Sequence, residues 1–340
     1  MKSLMWLGGD RFETQNGLPA PQSPLDPHDV LLRVKAVGIC KSDIHIQEGR
    51  FPWAHPPLIL GHEIAGVVDS VGTRVTRVQP GSRVTCDSVV GCYKCAYCLR
   101  GQKQFCVNGY ELGFSRDGGC QEFVILPEQN IHPIGTSVSM EEAAILDMEV
   151  FAAINKPGVR PGETVLVIGP GPAGLIATQI VRTLGAGKVL LSGKSDFRLR
   201  LGLQLGVDRA IDIRKEKLVE VIREETMGMG ADLVIDCAGT TESFHHAIES
   251  ATPGGRVILY GVYPVQLPEA RVADILLKDL VVYGSCSNRD GWDVVISWVE
   301  QGQLNLEALI THKFPIEEGA RAYDLVRDEP EGLVKAVLLL

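Results

Sequence analysis

The sequence predicts an α/β protein made of a β-rich domain and a doubly wound parallel sheet. Three observations carry that prediction. The first third is dense in short valine-rich runs closed by glycine or proline and shows no helical period. From about residue 163, buried-type apolar runs alternate with helical segments. Beyond about residue 290 the rhythm changes again, and the chain ends on GLVKAVLLL (332–340), a strand-like run.

In chain order, HDVLLRVKAVGIC (28–40), HEIAGVVDSVG (62–72), GSRVTCDS (81–88) and CQEFVILPEQ (120–129) read as strands of a compact β-rich unit, a pattern compatible with a barrel. ETVLVIG (163–169) is a buried strand, and PAGLIATQIVRTLG (172–185) is a helix stopped by glycine. KVLLSG (188–193) is a second strand and SDFRLRLGLQLG (195–206) a second helix. DLVIDCAG (232–239) and GRVILYG (255–261) are further strands, with FHHAIESA (244–251) helical between them. These are βαβ units, which build parallel sheets. WDVVISWVEQG (292–302) is a helix. The closing strand is expected to return to the first domain. The expected boundaries are 1–148 for the β-rich domain, 149–290 for the parallel sheet and 291–340 for the return.

Bulk properties limit the function. The 340 residues suit about two domains at roughly 150 residues each. Hydrophobic residues at 45% and charged residues at 22% exclude a disordered chain. A net charge of −9 disfavours nucleic acid and anionic membrane as partners. The start MKSLMWLGGDRF lacks a secretory apolar region, and no apolar run reaches the length of a membrane span. A cytoplasmic location is expected. Nine cysteines in a reducing compartment are better explained by metal ligation or burial than by disulfides.

Two groups of residues have metal-ligand chemistry. Cys92, Cys95, Cys98 and Cys106 are spaced C-x2-C-x2-C-x7-C, which lets one loop wrap four thiolates around a tetrahedral zinc. Four thiolates leave no open position, so that ion is structural. An iron–sulfur cluster also uses close cysteines, but Val107 stands where a proline usually follows. Cys40, in GICKSDIH, and His62 with Glu63, in GHE, supply S, N and O donors and leave room for a fourth ligand. That is the requirement for a catalytic zinc. Lys41 favours the Cys40 thiolate, Ser42 can hydrogen-bond a metal-bound hydroxyl, and His45 can pass a proton to solvent. Asp147 and Glu149 interrupt an apolar segment; two residues apart on a helix, only one of them can face a metal.

Gly169, Gly171, Pro172, Ala173 and Gly174 form a G-x-G-x-x-G loop between a strand and a helix, the context of a dinucleotide pyrophosphate site. About twenty residues on, NAD sites place an acid for the ribose 2′-hydroxyl. Here Gly193 stands there, with Ser192, Lys194 and Arg198 nearby, so NADP is expected over NAD.

With GICKSDIH, GHEIAGVV, the four-cysteine loop, DGGCQEF, the glycine loop and ITHKFP, the chain resembles zinc-dependent medium-chain dehydrogenases/reductases of the alcohol–polyol (sorbitol) type nearly end to end. The resemblance implies a GroES-like catalytic domain plus a Rossmann domain, with the active site in the cleft between them. It implies catalytic zinc at Cys40, His62 and Glu63, a proton relay through Ser42 and His45, and a cofactor-phosphate contact at Lys41. It implies structural zinc at the four cysteines, hence two ions per subunit, and a homodimer or homotetramer. Polyol members read Glu-Pro where this chain has Asp147-Met148, and the match selects Asp147 over Glu149 as the further acidic group. The implied reaction is reversible oxidation of a secondary alcohol or polyol to a ketone with NAD(P). The rival readings are a zinc-free NADPH quinone or enone reductase and a non-catalytic zinc- and nucleotide-binding sensor.

Overall fold

The computed structural model describes every residue except 22–24, 147, 265, 267–269 and 287–290. The chain divides into two compact units. One comprises Met1–Leu146, Trp292–Glu300 and Leu306–Leu340; the other comprises 147–291 and Gln301–Asn305. The short run 301–305 joins the second unit because Gln179 grips it: the Asn305 N–H donates to Gln179 Oε1 at 2.7 Å.

The first unit is built on one long strand, Asp29–Ile39. It pairs antiparallel with Glu63–Val71, with Phe123–Pro127 and with the closing strand Lys335–Leu339. The closing strand also lies parallel to Ile310–Pro315. The chain's last strand therefore fills a slot in the middle of the first sheet, which is why its sequence is almost wholly apolar. Arg83–Cys86 and Ile131–Pro133 extend the other side. Leu32, Val34, Ile39, Ile64, Val84, Leu126, Tyr323 and Leu338 are buried together in the core behind this sheet.

The second unit is a six-stranded parallel sheet: Thr164–Ile168, Lys188–Gly193, Arg209–Asp212, Ala231–Asp236, Ala251–Leu259 and Val281–Gly284. In space the order is third, second, first, fourth, fifth, sixth. This is the doubly wound dinucleotide-binding order, and the direction of winding reverses beside the first strand. Val165, Leu166, Val167, Leu190, Leu191, Leu233, Val234, Val257 and Ile258 are fully or nearly fully buried. Helices cover both faces of such a sheet, so its central strands are apolar at nearly every position. Among the described residues no helix is long and apolar enough to cross a membrane.

Candidate active site

The first unit brings Cys40, His62 and Glu63 together: one ligand atom from each lies within 4.8 Å of the others. The long strand ends at Ile39, so Cys40 stands where the chain leaves the sheet and enters the helix Lys41–Gln47. His62 and Glu63 stand where the neighbouring strand begins. Sheet register makes the meeting possible, because Glu63 lies directly opposite Gly38. A Cβ at Gly38 would stand 1.9 Å from Glu63 Oε2. Glycine there is what leaves space for the carboxylate.

Asp43 organises the cluster, and sequence reasoning missed it. It is fully buried, its Oδ2 accepts from the Cys40 N–H at 3.0 Å, and its Oδ1 lies 3.3 Å from His62 Nδ1. The signal was available: an acid three residues after the residue that caps a helix start is the spacing of a capping box. Burial opposes charge on His62, but the Asp43 carboxylate outweighs it and holds the imidazole well above its usual pKa. With Nδ1 turned to Asp43, Nε2 faces the other donors, and Ser42 Oγ lies 3.3 Å from it. A carboxylate behind a histidine fixes ring orientation and raises ligand basicity.

Glu63 serves two sides. Its Oε1 accepts from the buried Lys335 Nζ at 2.6 Å, while Oε2 is buried without a hydrogen-bond partner among the described residues. Lys335 opens the closing strand, so the C-terminus supplies a charge partner to the cluster.

His45 is buried, and its Nδ1 has no partner among the described residues. Burial first, and Arg50 next, lower its pKa, so the ring is neutral near pH 7. Lys41 Nζ pairs with Glu329 at 2.5 Å. Glu149 is half-buried in the helix Met148–Asn155, and Asp147 lies outside the described residues. Phe114 packs against the His62 ring at 5.1 Å and against Phe51 at 5.2 Å, and Phe51 meets Trp53 at 5.4 Å. Trp53 and Phe114 also line a cavity of about 530 Å³ with His55, Tyr110 and Arg116.

The four cysteines of the loop form a second donor set: Cys92, Cys95, Cys98 and Cys106 each place a sulfur within 4.8 Å of the others, and all four are half-exposed. First among the causes, the Lys94 backbone N–H holds the Cys92 thiol down to about 6. Two contacts fasten this loop to the β-rich core. Lys103 pairs with the buried Asp87 at 2.5 Å, and Tyr93 donates to Asn130.

In the second unit the glycine loop has three distinct geometries. Gly169 has φ +98°, which favours glycine, and a Cβ there would meet Ala238 N at 3.0 Å. A Cβ at Gly174 would stand 1.9 Å from Gly169 O, so helix and strand pack through it. Gly171 has nothing within 4 Å of its would-be Cβ and precedes the twelve-residue helix Pro172–Thr183, which starts with Pro172 and Ala173 and has no side-chain cap. Open space before uncapped backbone N–H groups suits a pyrophosphate. Ala238, against Gly169, belongs to a turn held by the buried Asp236. The Asp236 carboxylate accepts from the Ala238 and Gly239 N–H groups and from Tyr263 Oη. Neither Asp236 nor Tyr263 was singled out from the sequence.

At the ribose position a Cβ on Gly193 would stand 2.2 Å from Pro170 Cδ, so the proline ring fills the start of any side-chain path there. Ser192 is fully buried, as strand positions are in a sheet covered on both faces. Lys194 is exposed and pairs with Glu242 at 3.0 Å, and Arg198 is half-buried in the following helix.

A three-donor cluster with S, N and O atoms in one unit, and a dinucleotide loop at a parallel-sheet reversal in the other, define a metal-dependent oxidoreductase that uses a nicotinamide cofactor. Residues 26–136 match the family described as "Alcohol dehydrogenase GroES-like domain", and residues 172–301 match "Zinc-binding dehydrogenase". The chain is 32% identical over 313 residues to a sorbitol dehydrogenase of Halalkalibacterium halodurans, covering 90% of this chain and 91% of that protein. It is 33% identical over 342 residues to an L-threonine 3-dehydrogenase of Bacillus licheniformis, covering 96% of each. Among solved structures, a putative zinc-binding dehydrogenase from Sinorhizobium meliloti 1021 bound to NADP superposes with a TM-score of 0.90 at 30% identity, covering 100% of this chain and 99% of that one. An Escherichia coli CFT073 alcohol dehydrogenase complexed with NADH has the same TM-score, identity and coverage. The chain belongs to the zinc-dependent medium-chain alcohol and polyol dehydrogenases.

Proposed function

We propose that this dehydrogenase oxidises a secondary alcohol of the polyol class to a ketone with NADP in preference to NAD, through a zinc ion held by Cys40, His62 and Glu63. The observation that carries the reading is the donor cluster itself. Three different ligand atoms converge within 4.8 Å, one carboxylate oxygen is buried without a partner, and Gly38 leaves it room. A buried carboxylate oxygen without a hydrogen-bond partner is costly, and a bound cation would satisfy it. When bound, zinc supplies Lewis acidity that makes loss of the alcohol proton feasible near neutral pH, and nicotinamide supplies the hydride acceptor.

The chain's own residues do the rest. Asp43 orients His62 and the start of the helix that carries Ser42. Ser42 Oγ, beside His62 Nε2, receives the hydroxyl proton of the substrate. His45, three residues along the same helix and held neutral by burial, takes the proton onward. Phe51 and Phe114 form an apolar wall beside His62 that excludes water and packs the substrate's carbon chain. Sugar alcohols fit because several hydroxyls can meet Ser42 and the polar cluster while the carbon chain meets the aromatic rings.

Four thiolates in one short loop are the donor set of a closed structural zinc, so we assign two ions per subunit. Asp147 stays our choice for a further acidic group near the catalytic ion. The NADP preference rests on Gly193 in place of an acid and on Lys194 and Arg198 nearby; the NADP-bound neighbour supports it and the NADH-bound one does not. A homodimer or homotetramer is the assembly we expect from the family.

The test is a panel of sugar alcohols, simple secondary alcohols and L-threonine, assayed with NAD and NADP on zinc-loaded protein. Polyol-dependent reduction of NADP, faster than of NAD, is expected. Threonine as the preferred substrate would overturn the substrate class, and no alcohol-dependent reduction with either cofactor would overturn the reading.

A further inference from the structure

We propose that the cavity beside Phe114 takes a negatively charged end of the substrate through the Arg116 guanidinium, so that the preferred substrate is a polyol bearing a terminal carboxylate or phosphate. The inference rests on the polyol reading above and narrows it from a neutral sugar alcohol to one that carries an oxyanion.

The cavity of about 530 Å³ shares a wall with the donor cluster. Phe114 lines it and also packs on the His62 ring at 5.1 Å, so one aromatic ring separates the cavity from the place where the substrate hydroxyl is held. Phe51 continues from Phe114 to Trp53, which lines the cavity as well. A carbon chain that starts at His62 and follows these rings meets His55 and Arg116 on the cavity's polar side. The turn that carries Phe114 and Arg116 is fixed against the cluster by its backbone. The Phe114, Ser115 and Arg116 N–H groups all donate to Glu111 O, at 3.3, 3.0 and 3.3 Å, and the Gly113 N–H donates to Arg116 O at 2.7 Å. Gly113, at φ +79°, packs on Gly61: a Cβ there would stand 2.9 Å from the Gly61 carbonyl. Gly61 immediately precedes His62, so main-chain packing holds this turn at a set place relative to the donors.

Three arginines lie over aromatic rings among the described residues, and Arg116 differs from the other two. Arg33 stacks on Phe123 at 4.6 Å and also pairs with Asp69 at 2.7 Å. Arg321 stacks on Phe314 at 5.7 Å and also pairs with Glu318 at 2.8 Å. Arg116 has the closest stack, 3.9 Å over the Tyr110 ring, and makes no ion pair with a carboxylate among the described residues. Stacking holds the guanidinium plane and leaves its N–H edge free, a fork whose geometry matches two oxygens of a carboxylate or phosphate. Asp117 also lines the cavity, but it serves the fold: its Oδ1 accepts from the Ile59 N–H at 3.0 Å and ties the turn to the strand Leu58–Ile59. Its charge opposes that of Arg116, so an anion is held there by directed guanidinium bonds and not by a broadly positive field. The Ser115 hydroxyl is likewise engaged, accepting from the Glu111 N–H at 3.0 Å. His55, exposed on the same cavity, adds a ring N–H as a second donor.

The experiment measures kcat and KM of zinc-loaded protein, with whichever of NAD and NADP it uses better, for sorbitol, mannitol and galactitol. Each skeleton is supplied as the neutral alcohol, as the corresponding aldonate and as the terminal phosphate. The proteins are the parent, Arg116→Gln, Arg116→Lys and His55→Gln. In the parent, an anionic form should exceed its neutral counterpart in kcat/KM by roughly 10–100-fold, the worth of a charge-assisted hydrogen bond. The aldonate and phosphate arms tell which oxyanion the cavity takes. Arg116→Gln should remove most of that advantage, chiefly through KM, while the neutral alcohol changes less than about threefold; Arg116→Lys should recover part of the loss. His55→Gln alters an exposed side chain and keeps the test open if Arg116→Gln folds poorly; it should reduce the advantage by a smaller factor. A parent that uses the neutral alcohols as well as both anionic forms would overturn this inference alone, and so would an anion preference that survives both neutral variants. If no skeleton is oxidised in any form, the polyol reading fails and this inference fails with it.

Discussion

The two donor clusters of the first unit use the same element chemistry in opposite surroundings. The four cysteines lie within one loop, all thiols, all half-exposed, with short local spacing. Cys40, His62 and Glu63 come from two strand ends, mix S, N and O, and sit against buried groups: Asp43 is fully enclosed, and Lys335 holds one oxygen of Glu63. A set of four like ligands fills a tetrahedron and braces a loop. A set of three, with a carboxylate shared between a lysine and the donor cluster, leaves chemistry to be done. The contrast predicts that damage to one cluster shows up in stability and damage to the other in turnover.

The largest separation should come from Cys40→Ser. Loss of a Lewis acid worth several kcal/mol should cut kcat/KM about a thousandfold or more, with the melting temperature nearly unchanged. Steady-state kinetics and a thermal melt on one preparation check both halves. Lys103→Met attacks the other side of the comparison. It takes the cation from the carboxylate of Asp87, whose side chain is 1% exposed, and losing one partner of a buried pair costs about 3 kcal/mol even with the Val89 N–H still donating to Asp87 Oδ1. For a unit of this size that is roughly 6–12 °C in melting temperature, with kcat per folded molecule retained. A kcat that collapsed in step with the melt would break the division of labour.

Asp43→Asn sharpens the catalytic half. The variant keeps the shape but loses the charge behind His62, and removal of such a partner lowers metal affinity or activity by about 10–100-fold. Zinc titration against a chromophoric chelator reads it, and an unchanged affinity would demote Asp43 to a helix cap.

The smallest effect concerns acid. His132 is buried, stacks on Trp292 at 4.4 Å, and lies near Asp87 and Lys103, behind the four-cysteine loop. Burial is the main reason its pKa is pushed from 6.5 down to about 3. The folded ring is neutral while the unfolded chain takes up a proton below pH 6.5, so stability falls as pH drops from 6.5 towards 3. At pH 5.5 the loss is about 1 kcal/mol. His132→Phe preserves the stacking and removes the proton, so the melting temperatures at pH 7.5 and 5.5 should draw together.

Much of this was legible in the chain. The four-cysteine loop, the glycine loop and the strand-to-helix alternation are local patterns, and local spacing is what a sequence displays. The helices read at 172–185, 195–206, 244–251 and 292–302 lie at Pro172–Thr183, Asp196–Gln204, Thr241–Ser250 and Trp292–Glu300, whereas Leu218–Glu225 and Gly319–Asp328 were not singled out. What was hidden depends on register across strands. Gly38 matters because it faces Glu63, and Lys335 because the last strand enters the first sheet. The third and sixth parallel strands, Arg209–Asp212 and Val281–Gly284, were not singled out either; at four residues each, with polar or glycine ends, they carry too little apolar pattern. Ser192 was grouped with the cations by its place in the chain, and it lies buried within the parallel sheet.

The most direct measurement of the central claim is zinc content per subunit in the parent, Cys40→Ser and Cys95→Ser proteins, taken with alcohol-dependent NADP reduction on the same samples. The account predicts two ions in the parent, one in Cys40→Ser with turnover gone, and one in Cys95→Ser with turnover per folded molecule preserved. Full turnover in Cys40→Ser, with one ion or two, contradicts it.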